Sequence, residues 1–264
     1  MDDAIRLLYL EAMGITVWKP KASNSPVSVP PSAGAGNTPP EAIALHNEDP
    51  PYAAPTSPLP PPASISLAAS SDYAAPDDVA EMDWDTLEKT VSTCPKCRLC
   101  ETRTKTVFGS GDKKADWLII GEGPGQQEDL QGLPFVGPAG QLLTEMLRAI
   151  GLGRNEVYIA NIVKCRPPNN RDPKPDEAGA CRPYLDRQIA LLQPKIILAV
   201  GRIAAQSLLS SDAPVSRLRS RVHTLNQTPV VVVYHPSYLL RSPNEKKKAW
   251  LDLQLALNTY REQQ

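Results

Sequence analysis

Two short polar segments, roughly a hundred residues apart, carry residue types that could do chemistry. Residues 121–125 read GEGPG and residues 235–240 read HPSYLL, and each follows directly on a strand-like apolar run. In an open α/β protein the carboxyl ends of parallel strands face one cleft, so two such loops can line the same pocket. The pairing therefore predicts a reactive pocket with Glu122 and His235 among its polar groups.

The glycine-rich segment does not match a nucleotide-binding loop. It lacks the Gly-Lys-Ser/Thr ending of a P-loop, and a G-x-G-x-x-G reading from Gly123 ends on Glu128 instead of glycine. Its glycines still let the backbone approach a ligand closely. A nucleotide-binding regulator is therefore a weak alternative for this chain.

Five cysteines form a second candidate site. Cys94, Cys97 and Cys100 are spaced C-x-x-C-x-x-C, whereas Cys165 and Cys181 lie far along the chain. A C-x-x-C pair can hold a metal from a single turn, and two distant cysteines can complete a four-thiolate site. Buried thiols that act as small hydrophobic groups are the alternative, and a cluster of this density favours a metal. Spacing alone does not separate zinc from an iron–sulfur cluster.

The elements that must position these residues alternate between strand and helix from about residue 82. Apolar, β-rich runs predict four buried strands, and amphipathic stretches between and after them predict helices. Such alternation predicts one three-layer α/β/α domain over residues 82–264, with right-handed crossovers. The predicted strands are 117–120, 157–163, 196–200 and 230–234, and the predicted helices are 139–150, 175–192, 201–209 and 246–260.

The amino-terminal third has a different composition. Residues 1–18 contain a short amphipathic pattern typical of a helix, and residues 19–81 are rich in Pro, Ala and Ser. Half of the 28 prolines lie between Pro20 and Pro76, and no periodic apolar face runs through them. Such a segment buries too little surface to offset the entropy of ordering, so we expect a long disordered linker. Its terminal helix either docks a partner or folds back on the main domain.

Charge is unevenly distributed although the net charge is −1. Residues 1–82 hold 3 basic and 10 acidic side chains, which leaves 25 basic and 19 acidic ones in the remainder. The positive charge of this remainder weakly favours a polyanionic partner. Apolar runs are too short to cross a membrane and the start does not resemble a signal peptide, so we expect a cytoplasmic protein with reduced cysteines.

The motifs together resemble the type 4 uracil-DNA glycosylases. The resemblance runs from about Thr93 to the end and rests on GEGPG, on LPFVGPAG at 133–140, on VYIANIVKCRPPNNR at 157–171 and on HPSYLL. It implies an α/β/α sandwich around a four-stranded, mainly parallel sheet. It also implies a structural [4Fe–4S] cluster on Cys94, Cys97, Cys165 and Cys181, with Cys100 spare, and no further metal or nucleotide cofactor.

The resemblance also implies roles in removing a flipped-out uracil from single- or double-stranded DNA. Asn161 would pair with the uracil edge, Phe135 would stack on the base, and His235 would stabilise the departing anion. Related branches carry Asp or Asn where this chain has Gly123, which would contact the base, so we hypothesise that the adjacent Glu122 either orients water or shapes the pocket through its backbone. We also hypothesise that Glu128 lines the C5 side of uracil and bars thymine.

For the DNA strand, Leu239, four residues after His235, is placed to wedge into the vacated stack. Ser237 would hold a phosphate, and the basic side chains beside the same loops would bind the backbone, namely Lys164, Arg166, Arg171 and Arg241. Pro138 replaces a basic residue common in the family. We expect a monomer, with a replication or repair protein as partner of the amino-terminal helix and linker. The rival is a non-catalytic iron–sulfur protein that binds DNA or senses redox state.

Overall fold

The computed structural model describes residues 77–264. Within them, six strands form one sheet in the spatial order β1-β3-β2-β4-β6-β5. The central four strands, β3, β2, β4 and β6, are parallel, and the short edge strands β1 and β5 pair antiparallel to them. The strands are β1 (Ser110–Gly111), β2 (Trp117–Gly121), β3 (Val157–Asn161), β4 (Ile196–Val200), β5 (Val222–Leu225) and β6 (Thr228–Val233).

Helices cover both faces of this sheet. In chain order they are α1 (Asp77–Glu81), α2 (Trp84–Ser92), α3 (Gln126–Gln131), α4 (Pro138–Ala149), α5 (Pro175–Leu192), α6 (Arg202–Leu209), α7 (Val215–Leu218), α8 (Pro236–Arg241) and α9 (Lys246–Arg261). Three short 3-10 turns lie at Arg98–Glu101, Pro168–Asn170 and Pro243–Glu245. The result is the predicted three-layer α/β/α sandwich.

The hydrophobic core of the described residues has one part on each face of the sheet. Side chains of α1, α2, α5 and α6 pack on one face, and those of α4, α8 and α9 pack on the other. Each of the strands β2, β3 and β4 has five residues, and all of them are buried. The reason is that helices cover both faces of these parallel strands, whose side chains point alternately to the two helical layers. This rigid centre fixes where the strand ends lie.

The four predicted strands are confirmed as the parallel centre of the sheet, and the four predicted helices match α4, α5, α6 and α9 within a few residues. The two edge strands were not predicted. β1 contains two residues and β5 alternates between exposed and half-buried positions, so neither produces the continuous apolar run of a buried strand. Pairing with a neighbour, and not local composition, makes them strands.

The linker boundary predicted at residue 81 is wrong by at least five residues. Asp77–Glu81 form α1, and Val79 is buried against the core, so the folded domain begins before residue 82. The predicted helix within residues 1–18 and the linker up to residue 76 lie outside the described residues. Among the helices of residues 77–264, none has the length and apolar character needed to cross a membrane.

Candidate active site at the carboxyl ends of the strands

A cavity of about 610 Å³ lies at the carboxyl ends of the central strands. The loops that follow β2, β3 and β6 meet there, as the parallel topology predicts. Nine of the twelve residues predicted for base and DNA binding line this cavity, namely Glu122, Gly123, Glu128, Phe135, Asn161, Arg171, His235, Ser237 and Arg241. The other three, Leu239, Lys164 and Arg166, do not.

Gly121 allows the floor of the cavity to close. It pairs with Asn161 across the last register position of β2 and β3. A Cβ atom at Gly121 would lie 2.5 Å from Asn161 Oδ1 and 2.5 Å from Phe135 Cζ, closer than such atoms can approach. Because Gly121 has no side chain, the amide of Asn161 and the ring of Phe135 can pack next to each other at the end of β2.

Asn161 offers an unused acceptor to the cavity. Its side chain is 2 % exposed, and its Oδ1 has no hydrogen-bond partner among residues 77–264. A buried carbonyl oxygen without a partner costs about 1–3 kcal/mol, so such an atom is retained where a ligand satisfies it. A ligand with an N–H donor in the plane of the amide would do so.

Phe135 is held in an unusual backbone conformation. Its φ is 54°, a left-handed value that non-glycine residues adopt rarely and that persists only when neighbours enforce it. Glu128 Oε1 accepts hydrogen bonds from the N–H groups of Val136 and Gly137, both at 2.9 Å. Arg154 donates to the Pro134 carbonyl at 2.5 Å. Contacts on both sides thus fix the ring, which lies 5.8 Å from the imidazole of His235.

This arrangement gives Glu128 a role that the sequence did not reveal. Its carboxylate anchors the loop that carries Phe135, and Arg154, which no motif singled out, completes that support. Gly140 is also required, since a Cβ there would overlap the Phe135 carbonyl. The prediction that Glu128 excludes thymine stays a prediction.

His235 is neutral and its tautomer is determined by its neighbours. Its Nδ1 accepts from the Ser237 N–H at 3.2 Å and lies 2.7 Å from Ser237 Oγ. With Nδ1 occupied as an acceptor, the ring proton sits on Nε2. Burial, reinforced by Arg241, lowers the pKa of His235 to about 4. The cavity therefore contains an uncharged N–H donor at neutral pH.

Glu122 lies in the same cavity and titrates near neutrality. Burial, reinforced by the nearby Asp172, raises the pKa of Glu122 to about 7, although Arg202 opposes the shift. Arg202 in turn pairs with Asp172. A carboxyl group with this pKa can change its protonation state close to physiological pH.

Two of the predicted DNA contacts already have partners within the protein. The Arg171 guanidinium forms two hydrogen bonds to Glu177, at 2.8 and 2.6 Å, and Ser237 is engaged with His235. Both residues line the cavity, and backbone contact by either one stays a prediction. Lys164 was wrongly predicted to reach DNA, because it is 1 % exposed and lies beneath the strand ends.

The prediction that Leu239 wedges into DNA is contradicted by its burial. Leu239 is 1 % exposed and packs with the core on the α4 face. The helical turn of α8 points it inward, whereas its neighbours Tyr238 and Leu240 are exposed by 37 % and 45 %. The HPSYLL motif fixes the order of these residues but not the rotation of the helix that carries them.

Leu239→Ala should therefore act on stability. We expect it to lower the free energy of unfolding by about 2–5 kcal/mol, as other buried leucine truncations do, whereas Leu240→Ala should change it by less than about 0.5 kcal/mol. Urea unfolding followed by circular dichroism measures both variants. Equal stabilities for the two would show that Leu239 leaves the core in solution.

Four of the five cysteines surround a second, very small cavity. Cys94, Cys97, Cys165 and Cys181 line it, and Cys100 does not. Three of their sulfur atoms accept hydrogen bonds from nearby donors: Tyr184 Oη and the Lys96 N–H bind Cys94 at 3.2 and 3.5 Å, Arg103 binds Cys165 at 3.1 Å, and the Lys164 N–H binds Cys181 at 3.4 Å.

This donor set matches that of a thiolate-bound iron–sulfur cluster, in which N–H and O–H donors to sulfur stabilise the ligands. Burial raises the pKa of Cys97 and Cys165, and raises that of Cys181 to about 12, so these thiols would have to lose their protons to bind a cluster. Within the described residues, no group of three or more His, Cys, Asp or Glu side chains is placed to hold a metal ion, so the match rests on the chemistry of the donors and not on ligand geometry.

Fold and pocket together define a class of protein. An α/β/α sandwich whose strand-end cavity combines an amide acceptor, a fixed aromatic ring and a neutral imidazole is built to bind a flat, hydrogen-bonding heterocycle. Residues 108–254, more than half of the chain, match the Uracil DNA glycosylase superfamily. The chain belongs to this superfamily.

Individual relatives agree with the family match. The type-4 uracil-DNA glycosylase of Archaeoglobus fulgidus is 42 % identical over 172 residues, which cover 62 % of this chain and 86 % of that protein. The type-4 enzyme of Sulfurisphaera tokodaii is 46 % identical over 175 residues, covering 62 % and 80 %. That of Pyrobaculum aerophilum is 42 % identical over 171 residues, covering 61 % and 87 %.

Proposed function

We propose that this protein is a uracil-DNA glycosylase that hydrolyses the N-glycosidic bond between deoxyribose and a flipped-out uracil. The reaction leaves an abasic site for base excision repair. The observation that carries the proposal is the unpartnered Oδ1 of Asn161 in a cavity that also presents the Nε2–H of His235. Uracil offers the complementary groups, an N3–H donor and a carbonyl acceptor.

Asn161 would select uracil over cytosine. Its Oδ1 accepts from uracil N3–H while its amide N–H donates to uracil O4, and cytosine presents the reverse pattern at these positions. A site that hydrogen-bonds its substrate in this way rejects the mismatched base strongly, because buried polar groups would be left unpaired. Phe135, fixed beside the imidazole, would stack on the face of the base.

His235 would stabilise the leaving group. As the glycosidic bond breaks, negative charge develops on the uracil carbonyl oxygens, and the neutral Nε2–H of His235, which lines the cavity, would bind uracil O2 more strongly as that charge grows. Glu122 would hold the attacking water beside the electron-deficient sugar, and its carboxylate form would also favour the positive charge on that sugar.

The pH dependence of uracil release tests the role of Glu122. With the pKa of Glu122 raised to about 7, its carboxylate is lost as pH falls below 7. We expect kcat to drop about tenfold for each pH unit below that value and to level off above it. Glu122→Gln, which mimics the protonated form, should be slow and insensitive to pH. A wild-type rate that is constant from pH 5 to pH 8 would contradict a water-orienting carboxylate.

We further propose that Cys94, Cys97, Cys165 and Cys181 hold a structural [4Fe–4S] cluster. Such a cluster would supply cross-links between α5, the loop after β3 and the segment before the first 3-10 turn. Support comes from the small cavity that the four cysteines line and Cys100 does not. The hydrogen-bond donors to three of the sulfur atoms support it as well. The chemistry at the strand ends then needs no added metal or nucleotide cofactor.

For partners, the proposal names uracil-containing DNA, single- or double-stranded, bound by a monomer. The excess of basic over acidic side chains after residue 82 suits this polyanion. Residues 1–76 would localise the enzyme through a replication or repair protein.

A variant lacking residues 1–70 should then retain full uracil release, since the catalytic residues all lie in the folded domain.

The test of function is a time course of uracil release from an oligonucleotide that contains one uracil. The protein is assayed in chelator with no added cofactor, and alkali-labile breaks are counted on single- and double-stranded substrates. A thymine-containing oligonucleotide of the same sequence serves as the control. Breaks at uracil alone support the proposal. A brown, iron-loaded protein that releases no uracil from either substrate would instead indicate a non-catalytic iron–sulfur protein.

A further inference from the structure

A buried lysine connects the two sites of this protein. Lys164 is 1 % exposed, and its Nζ donates to the Asn161 carbonyl at 3.0 Å and to Gln188 Oε1 at 2.6 Å. Its own N–H donates to Cys181 Sγ, and its carbonyl accepts from the Val107 N–H at 2.7 Å. One residue therefore contacts the strand end that carries Asn161 and a cysteine of the second cavity.

The charge of this ammonium group needs compensation. Both groups that accept from Nζ are neutral, and the groups near Lys164 that could carry negative charge are Cys181 and Cys165. A buried cation without a counter-charge is strongly unfavourable. A thiolate-bound iron–sulfur cluster carries net negative charge and would provide that counter-charge next to Lys164.

Geometry connects the lysine to base recognition. The carbonyl held by Lys164 and the amide that would read uracil belong to the same residue, so displacement of the carbonyl also displaces the amide. Recognition groups must be held within about 0.5 Å of their productive positions. A misplacement of about 1 Å costs up to about a hundredfold in rate.

We infer that Lys164 is a positioning residue that fixes Asn161 for uracil recognition, with its charge balanced by the thiolate-bound cluster. The state of the cluster and the quality of the uracil site are thereby linked through one side chain. The inference rests on the proposed function and on the cluster proposed for the four cysteines. It adds a role for a residue that touches neither DNA nor base.

The first experiment compares Lys164→Met with the iron-loaded wild type. Methionine keeps the unbranched shape and most of the length of the side chain but removes its charge and its hydrogen bonds to Asn161 and Gln188. We expect kcat for uracil release to fall about thirtyfold while KM for the oligonucleotide stays within about threefold. We also expect visible absorbance in chelator to bleach at least about threefold faster, because the cluster loses its neighbouring cation.

Gln188→Leu is the matched control. It removes the other acceptor of Lys164 Nζ and also the donor to the Phe108 carbonyl, so its effect on folding should be comparable. The link from Lys164 to Asn161 stays intact in this variant. Its kcat should therefore remain within about threefold of the wild type. Thermal unfolding of both variants checks that their stabilities match.

Two results would overturn the inference. Wild-type kcat in folded, iron-loaded Lys164→Met, or an equal loss in Gln188→Leu, would show that Lys164 contributes only to stability. An unchanged bleaching rate in Lys164→Met would contradict the proposed balance between the charge of Lys164 and that of the cluster. A wild-type protein that releases no uracil would contradict the proposed function instead, and the bleaching comparison would still report on Lys164 and the cluster.

Discussion

Asn161→Ala should reduce uracil release by about a thousandfold. The substitution removes both hydrogen bonds by which the side chain would hold the uracil edge, and loss of one well-placed donor at a developing charge already costs about 10²–10³ in rate. Because Asn161 ends a fully buried strand, the shortened side chain leaves the strand itself in place. The loss should therefore appear in kcat/KM, with little change in the unfolding temperature.

Gln127→Ala is the control for this prediction. Gln127 also carries an amide and also lines the cavity, but its side chain is exposed. Its removal should leave kcat/KM within about twofold. Steady-state release of uracil from one oligonucleotide compares the two variants directly. Asn161→Ala activity close to that of Gln127→Ala would mean that the base is read elsewhere in the cavity.

Cys181→Ala should abolish iron binding, whereas Cys100→Ala should leave it intact. Cys181 is buried in the small cavity and Cys100 lies outside it. Loss of one ligand from a four-cysteine site should lower the iron content to below about one-tenth of the wild-type value. Since the cluster would join α5 to the loop after β3, the unfolding temperature should fall as well.

Iron analysis and visible spectra of the two purified variants give the answer. Wild-type iron content in Cys181→Ala together with loss of iron in Cys100→Ala would move the fourth ligand to Cys100. Absence of iron from the wild type, purified without air, would leave the four cysteines as thiols that pack in or against the core.

The strand ends and most of the candidate site follow from sequence because they depend on local patterns. Buried parallel strands are read from apolar runs, and the residue after each run faces the cleft. Asn161 and His235 were predicted on this basis together with the family resemblance, and they lie together in one cavity. The two edge strands form because they pair with β3 and β6, so the sequence contains no apolar run that would predict them.

The errors share one physical cause. Leu239 and Lys164 were assigned from their place beside polar loops, but exposure depends on the rotation of a short helix and on what packs above a strand end. Lys164 is the clearer case, because lysine is almost never fully buried unless it is paired. The supporting roles of Glu128 and Arg154 are tertiary contacts between distant residues, which a single sequence does not show.

The tautomer of His235 has a consequence for the catalytic cycle. Ser237 keeps the ring proton on Nε2, and the low pKa keeps the ring neutral, so on the proposed mechanism the imidazole begins and ends each turnover in the same state. Uracil departs as an anion that bulk solvent protonates after release, and the proton lost by the attacking water would pass to Glu122, which must release it to solvent. His235 needs no proton returned before the next base enters, so recovery between cycles depends on Glu122 and on product dissociation.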